Sequence, residues 1–222
     1  MELFKHPSKD SYVQAQILKN KKKLLVIASS DEELSVIARY VRTNIPRAGF
    51  GICHGVRNGY EVQRLRRLLG IEIIGTDIAP TATEFPNVIQ WDFHDVKPEW
   101  IRKVDFIYSN SWDHSYDPEQ LFKTWMDCLS PGGRLYISWT PSHSAPADGA
   151  DCFSASLEEL KSTLSRYGTL EADCTVRQWR IPGKSFIYNL ARIVLRRKPV
   201  KTIHLLVVAH SAETQNIMRR KY

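Results

Sequence analysis

Between residues 50 and 140 the chain alternates short apolar runs with amphipathic stretches, and this alternation constrains the fold more than any other feature. The runs at 50–54, 71–77, 87–92, 105–110 and 135–140 are strand-sized, and helical patterns at 60–69, 97–101 and 118–129 lie between them. Strands joined through helices pair side by side in parallel, because each crossover returns the chain to the end from which it left. The third helix gives way to Ser130-Pro-Gly-Gly133, which cannot continue a helix and supplies positive-φ residues for a turn into the next strand. Beyond it the sequence predicts a loop at 141–149, a helix at 157–167 and strands at 170–179 and 201–210, with an ambiguous segment between the last two. Two helices, 12–23 and 31–44, come first. The second opens on Ser30-Asp-Glu-Glu33, where Ser30 can cap and Glu33 can reach back, and its Leu34, Ile37, Ala38 and Val41 recur at helical spacing. The expected organisation is one compact unit, an N-terminal helical extension (1–47) packed on an α/β domain (48–222).

With 222 residues, 43% of them hydrophobic, the chain can bury about 70% of its unfolded surface, which excludes intrinsic disorder, collagen and a small disulfide scaffold. No apolar run approaches the roughly 18 residues of a membrane span, and the opening residues show neither an apolar h-region nor a small-residue cleavage site. A cytoplasmic protein without membrane contact is expected. Cys53, Cys128, Cys152 and Cys174 form no Cys-x-x-Cys pair and no Cys/His ladder, which argues against a zinc ribbon or an iron–sulfur cluster and for reduced thiols. The net charge of +7 is uneven, an acidic middle lying between basic flanks. Clusters at Lys19-Asn-Lys-Lys-Lys23, Arg196-Arg-Lys198 and Arg219-Arg-Lys221 could attract a polyanion, although such runs are usually solvated surface.

The first strand of the alternating region runs into Gly51-Ile-Cys-His-Gly-Val-Arg-Asn-Gly-Tyr60 and then a helix. Small residues at such a junction let a ligand approach the backbone, and the helix start offers unpaired N–H groups at the carboxyl edge of the sheet. Only Gly55 and Gly59 of a three-glycine dinucleotide fingerprint are present, so a plain strand–helix turn is the competing reading. The next strand ends in Asp77, placed to accept hydrogen bonds from ribose hydroxyls; its competing role is a cap before Ile78-Ala-Pro80.

The succession Gly55-Val-Arg-Asn-Gly59, Gly75-Thr-Asp77, Gln90-Trp-Asp-Phe93, Asp105-Phe-Ile-Tyr-Ser-Asn110, Asp113-His-Ser-Tyr-Asp-Pro118 and Leu129-Ser-Pro-Gly-Gly-Arg-Leu135 resembles the class I, Rossmann-like S-adenosylmethionine-dependent methyltransferases, small-molecule type. The resemblance covers about residues 48–140. It implies a mostly parallel seven-stranded sheet with helices on both faces and an antiparallel last strand, with S-adenosylmethionine across the carboxyl ends of the first strands. Carried over by position, the turn Cys53, His54, Gly55, Arg57, Asn58 and Gly59 faces the methionine part of the cofactor. Asp77 with Ile78 faces the ribose, Asp92 with Phe93 borders the adenine, and Asn110 with Ser111 lines the wall near the sulfonium. Two positions depart from the family: Cys53 stands where an acidic residue is usual, and Arg57 where the middle glycine is usual.

Methyl transfer from a sulfonium relies on alignment, and a base is needed only for a protonated acceptor. His114, Asp113 and Tyr116 after the fourth strand, and His143 after the fifth, are the candidates for that role, with loop packing as the alternative. Asp113, Asp117 and His114 are also of the types that hold a hard cation, in an unspecific spacing, so no metal is expected. Trp112, in the loop after the fourth strand, could stack on a planar acceptor. The acceptor implied is a small molecule or metabolite. An RNA methyltransferase using the basic flanks and a non-catalytic S-adenosylmethionine-binding protein are the alternatives.

Overall fold

The computed structural model describes residues 1–179 and 199–209 together with 187, 189–191 and 195. The Arg196–Lys198 and Arg219–Lys221 clusters, most of the ambiguous segment and His210 lie outside the described residues. In order, the elements are β1 (Glu2–Leu3), α1 (Lys9–Lys22), α2 (Asp31–Asn44), β2 (Phe50–His54), α3 (Tyr60–Leu69), β3 (Glu72–Asp77), β4 (Val88–Gln90), β5 (Val104–Ser109), α4 (Pro118–Cys128), β6 (Leu129–Trp139), β7 (Phe153–Ser154), α5 (Leu157–Leu164), β8 (Thr169–Gln178) and β9 (Lys201–Ala209).

Seven strands form one sheet in the order β4-β3-β2-β5-β6-β9-β8, and β1 pairs with β7 apart from it. The strands from β4 to β6 are parallel, while β9 runs antiparallel to both β6 and β8. This is the Rossmann-like methyltransferase sheet implied by the resemblance. Alternate residues of the central strands feed two cores, as the period of two in a strand requires. Ile52, Ile107, Leu135, Ile137, Leu206 and Val208 face α4 and α5 with Trp125 and Leu160. Cys53, Phe106, Tyr108, Tyr136, Leu205 and Val207 face α2 and α3 with Leu34, Ile37, Val62 and Leu65. Because both faces are covered, these strands read as unbroken apolar runs.

The capping box of α2 forms as the sequence predicts, with Ser30 Oγ accepting from the Glu33 N–H and Glu33 Oε2 from the Ser30 N–H. Three expectations need correction. The segment 97–101 is a single 3-10 turn, Pro98–Trp100, because Pro98 and the short spacing to β5 leave no room for more. The predicted helix at 157–167 ends at Leu164. Ser130–Gly133 does not separate α4 from a later strand: β6 starts at Leu129, directly after the helix. Val104 pairs with Leu129 and Phe106 with Arg134, so the four residues between are an irregularity inside the strand. Asp105 anchors it, its Oδ1 accepting from Ser130 Oγ and its Oδ2 from the Gly49 and Phe50 N–H groups. A Cβ on Gly133 would stand 3.0 Å from three carbonyl oxygens, which explains that glycine.

Candidate active site

In chain order β2, β3 and β4 step outward to one edge of the sheet, after which β5 returns to the other side of β2. At such a switch point the loops leaving the carboxyl ends diverge and open a crevice. A cleft lies there, its empty space about 490 Å³ when the open solvent at its mouth is included. Gly55 and Arg57 enter it from β2, Thr76, Asp77 and Ile78 from β3, Trp91 and Phe93 from β4, and Ser111 and His114 from β5. Its cover is α1, which contributes Tyr12, Gln16, Lys19 and Asn20.

The glycine turn is built for close approach. Gly55 has φ +73°, and a Cβ there would lie 2.6 Å from the Ser111 Cβ. Arg57, in the position where the family carries glycine, adopts the left-handed conformation such a glycine would take (φ 49°). Its N–H donates to Asp77 Oδ2 at 2.9 Å, which ties the turn to the end of β3. Gly55→Ala is expected to lower stability by about 1–3 kcal/mol, through the left-handed backbone and overpacking against Ser111. The reading is a lower urea midpoint with unchanged slope; an unchanged midpoint contradicts the packing described.

Asp77 is buried and fully engaged. Oδ1 accepts from the Ala79 N–H and from Asn20 Nδ2, each at 2.9 Å, in addition to the Arg57 bond on Oδ2. Burial raises its pKa, and these donors pull in the opposite direction. It thus caps the turn before Pro80 and stands in the cleft at once.

Several sequence candidates lie elsewhere. Cys53 is fully buried in the α2/α3 core. His54, also buried, contacts Thr76 Oγ1 through Nδ1 and stacks on Trp125 at 4.9 Å; burial pushes its pKa down to about 3. Asn58 holds the covering segment through the Leu24 carbonyl, Gly59 caps α3 in the left-handed region, and Asn110 donates to Ser29 Oγ. Asp92 accepts from His94 and faces Lys9; these outweigh burial and hold its carboxyl below the usual range. None of these six lines the cleft. Trp112 is corrected as well: it is fully buried and donates Nε1–H to the Ser138 carbonyl, so it offers no face to an acceptor.

Among the candidates for chemistry, only His114 reaches the cleft. Gln16 donates to the Ala150 carbonyl, which turns its Oε1 toward His114 Nδ1 at 2.8 Å. Burial lowers the His114 pKa. Asp113 sits behind it, buried, with its pKa pushed up to about 6 chiefly by desolvation. His143 Nδ1 accepts from the Thr140 N–H, and burial takes its pKa down to about 4. Tyr116 packs edge-on against Tyr12 and tilted over His94. Asp117 is no cation ligand, because its Oδ1 caps α4 by accepting from the Gln120 N–H.

The sequence reading missed the contribution of α1 and of Trp91. Tyr12, Gln16 and Asn20 are buried at i, i+4 and i+8, so an inward stripe of polar and aromatic side chains was present in a helix with no apolar stripe. That pattern is the signal of a helix laid over a polar cleft.

Behind the glycine turn a polar network is shut away from water. Ser29 Oγ donates to Glu61 Oε1 (3.0 Å) and lies 2.8 Å from the Tyr108 hydroxyl, which in turn donates to Glu33. Glu61 Oε2 has no hydrogen-bond partner among the described residues. Desolvation raises the Glu61 pKa from 4.5 to about 7, so between these values the native state binds more protons than the unfolded chain. Stability from this group is complete below about pH 4.5 and is lost as the pH rises through 7. Between pH 5 and 8 the wild type is expected to lose about 2.5 kcal/mol more than Glu61→Gln does, measured by urea midpoints. Parallel curves for the two proteins contradict the assignment.

Residues 52–137 match the family model described as a methyltransferase domain. No curated protein matches the chain in sequence. The fold is similar to that in a complex between the Haloferax volcanii Trm112 methyltransferase activator and a methyltransferase (TM-score 0.60, 16% identity, 93% of this chain and 100% of that one). It is also similar to Burkholderia thailandensis 1,6-didemethyltoxoflavin-N1-methyltransferase (0.59, 13%, 93% and 92%) and to geranyl diphosphate C-methyltransferase from Streptomyces coelicolor A3(2) (0.57, 15%, 93% and 100%), both solved with S-adenosylhomocysteine. The sheet has the class I, Rossmann-like methyltransferase fold, and this fold together with the matched domain supports an S-adenosylmethionine-dependent methyltransferase. Among the described residues no helix is long and apolar enough to cross a membrane.

Proposed function

We propose that the chain methylates the oxygen or nitrogen of a small-molecule acceptor, bound under α1 beside His114. The observation that carries this reading is the cover: α1 lies across the cleft and is tied to both of its sides, by Asn20 to Asp77 and by Gln16 to His114. An acceptor must fit beneath that helix, which suits a metabolite and not a polynucleotide. Lys19, the cluster's member nearest the site, is committed to Asp151 and is not free for a phosphate backbone.

The residues fit the cofactor. Gly55 leaves a cradle that a Cβ would fill, Asp77 offers a carboxylate suited to ribose hydroxyls, Trp91, Phe93 and Ile78 provide an aromatic and apolar wall for adenine, and Arg57 supplies a cation for the methionine carboxylate. When bound, S-adenosylmethionine supplies an activated methyl group. The chain's own part is to orient: Gln16 fixes the His114 ring, Ser111 Oγ bridges Gly55 and Asn110, and α1 keeps water from the reacting atoms.

Radiolabelled S-adenosylmethionine offered with a metabolite fraction and, separately, with total RNA tests the reading. Label is expected in the small-molecule fraction. Label confined to RNA favours the nucleic-acid reading, and cofactor binding without transfer to either favours a non-catalytic binding protein.

A further inference from the structure

Three electron-pair donors converge on one point at the wall of the cleft. One donor atom from each of His114, Asp113 and Asp151 lies within 4.8 Å of the other two. The hydrogen bonds around them show which atoms carry protons. Gln16 Nε2 donates to the Ala150 carbonyl, so Gln16 Oε1 must accept; the proton of the His114 ring is therefore on Nδ1, and Nε2 presents a lone pair. That lone pair faces Asp151 Oδ1 at 3.6 Å and Asp113 Oδ1 at 3.9 Å. On the far side, His143 Nδ1 accepts from the Thr140 N–H, which leaves its Nε2–H pointing toward Asp113 Oδ2 at 3.9 Å, a distance too long for a hydrogen bond. Asp113 is nine-tenths buried, and its Oδ1 has no hydrogen-bond partner among the described residues.

An orphaned buried carboxylate oxygen beside an imidazole lone pair and a second carboxylate is costly unless a cation joins them. We propose that Asp113, His114 and Asp151 form a binding site for a divalent transition-metal ion. One imidazole and two carboxylates are the donor set of Mn²⁺, Fe²⁺ or Zn²⁺, and the imidazole disfavours Mg²⁺. The Gln16 amide plays the part that an acceptor beyond the ring usually plays for a metal-bound histidine, fixing its tautomer and orientation. Lys19 now supplies the positive charge, its ammonium resting on Asp151. Asp151 is 46% exposed on its loop, so its side chain is free to rotate and draw the three donors in to bonds of about 2.1 Å. The site differs from the one the sequence suggested, because Asp117 is a helix cap and Asp151 comes from a distant loop.

Since His114 lines the cleft, the ion would stand where an acceptor oxygen can reach it and be made more acidic. That consequence rests on the function proposed above; the binding itself does not.

Mn²⁺ is the probe of choice, since the Cys152 and His6 pair nearby would compete for Zn²⁺. The full chain, freed of metal with a chelator, is titrated with Mn²⁺ by calorimetry and by paramagnetic resonance of the free ion, alongside S-adenosylhomocysteine. One Mn²⁺ per chain is expected, with Mg²⁺ at least tenfold weaker. Asp113→Asn and His114→Gln, checked for folding by circular dichroism, should each weaken Mn²⁺ at least tenfold, and Lys19→Met should tighten it. No saturable binding, or binding unchanged in both folded site variants, overturns the proposal. Mn²⁺ binding by a chain that ignores S-adenosylhomocysteine would sustain the ion site and refute the methyltransferase reading, and the converse result would do the reverse.

Discussion

Asp77→Ala is expected to lower the affinity for S-adenosylhomocysteine by about tenfold to hundredfold, the worth of one or two hydrogen bonds to a charged acceptor. The structure adds a second effect. Because the carboxylate also receives the Arg57 and Ala79 N–H groups and the Asn20 amide, its removal leaves donors without partners at the end of β3. Stability should therefore fall by about 1–3 kcal/mol in the same variant. Asp77→Asn keeps the acceptor oxygen on one side and should recover part of the stability while remaining weak for the cofactor. Calorimetry and urea unfolding on both variants separate the two roles. Unaltered affinity in folded Asp77→Ala would remove the residue from the site.

Trp125→Ala should give the largest loss of stability, about 3–5 kcal/mol, the usual cost of emptying a buried aromatic site. Trp125 is fully buried on α4, lies flat against His54 of β2 and packs edge-on against Phe93 and Phe122. Its indole N–H donates to the Phe93 carbonyl at 2.9 Å, so one side chain ties α4, the sheet and a wall of the cleft together. Weakened cofactor binding should accompany the lower midpoint, as Phe93 loses its support. Trp125→Phe, which keeps most of the volume but loses the N–H, should cost much less. A loss below about 1 kcal/mol for the alanine variant would contradict this packing.

The central sheet was legible because its strands are buried on both faces. Runs such as 50–54 and 105–110 have no alternation to mislead, and the helices between them carry clean apolar stripes. Ser130-Pro-Gly-Gly133 misled because its composition signals a turn wherever it occurs, whereas Asp105 across the sheet holds it inside β6, a contact between distant residues that no local pattern reveals. The site divided along the same line. Gly55, Arg57, Asp77, Ile78, Phe93 and Ser111 follow directly from strand ends, and they line the cleft. Cys53, His54 and Asn110 adjoin such residues, but the pleat turns the first two into the cores, and Ser29 engages the third. Lys19, Asn20 and Asp151 reach the site only through tertiary packing of α1 and the 145–152 loop. Trp112 is drawn away from the cleft because a buried indole goes where its N–H finds a carbonyl, and Trp112 finds that of Ser138.

The most direct test of the account is a calorimetric titration of the full chain with S-adenosylhomocysteine, with NAD as the comparison. The cleft bounded by Gly55, Asp77, Trp91 and Phe93 predicts one S-adenosylhomocysteine per chain and no measurable heat from NAD, since the three-glycine fingerprint for its pyrophosphate is missing. A folded chain that leaves S-adenosylhomocysteine unbound, or takes NAD equally well, would contradict it.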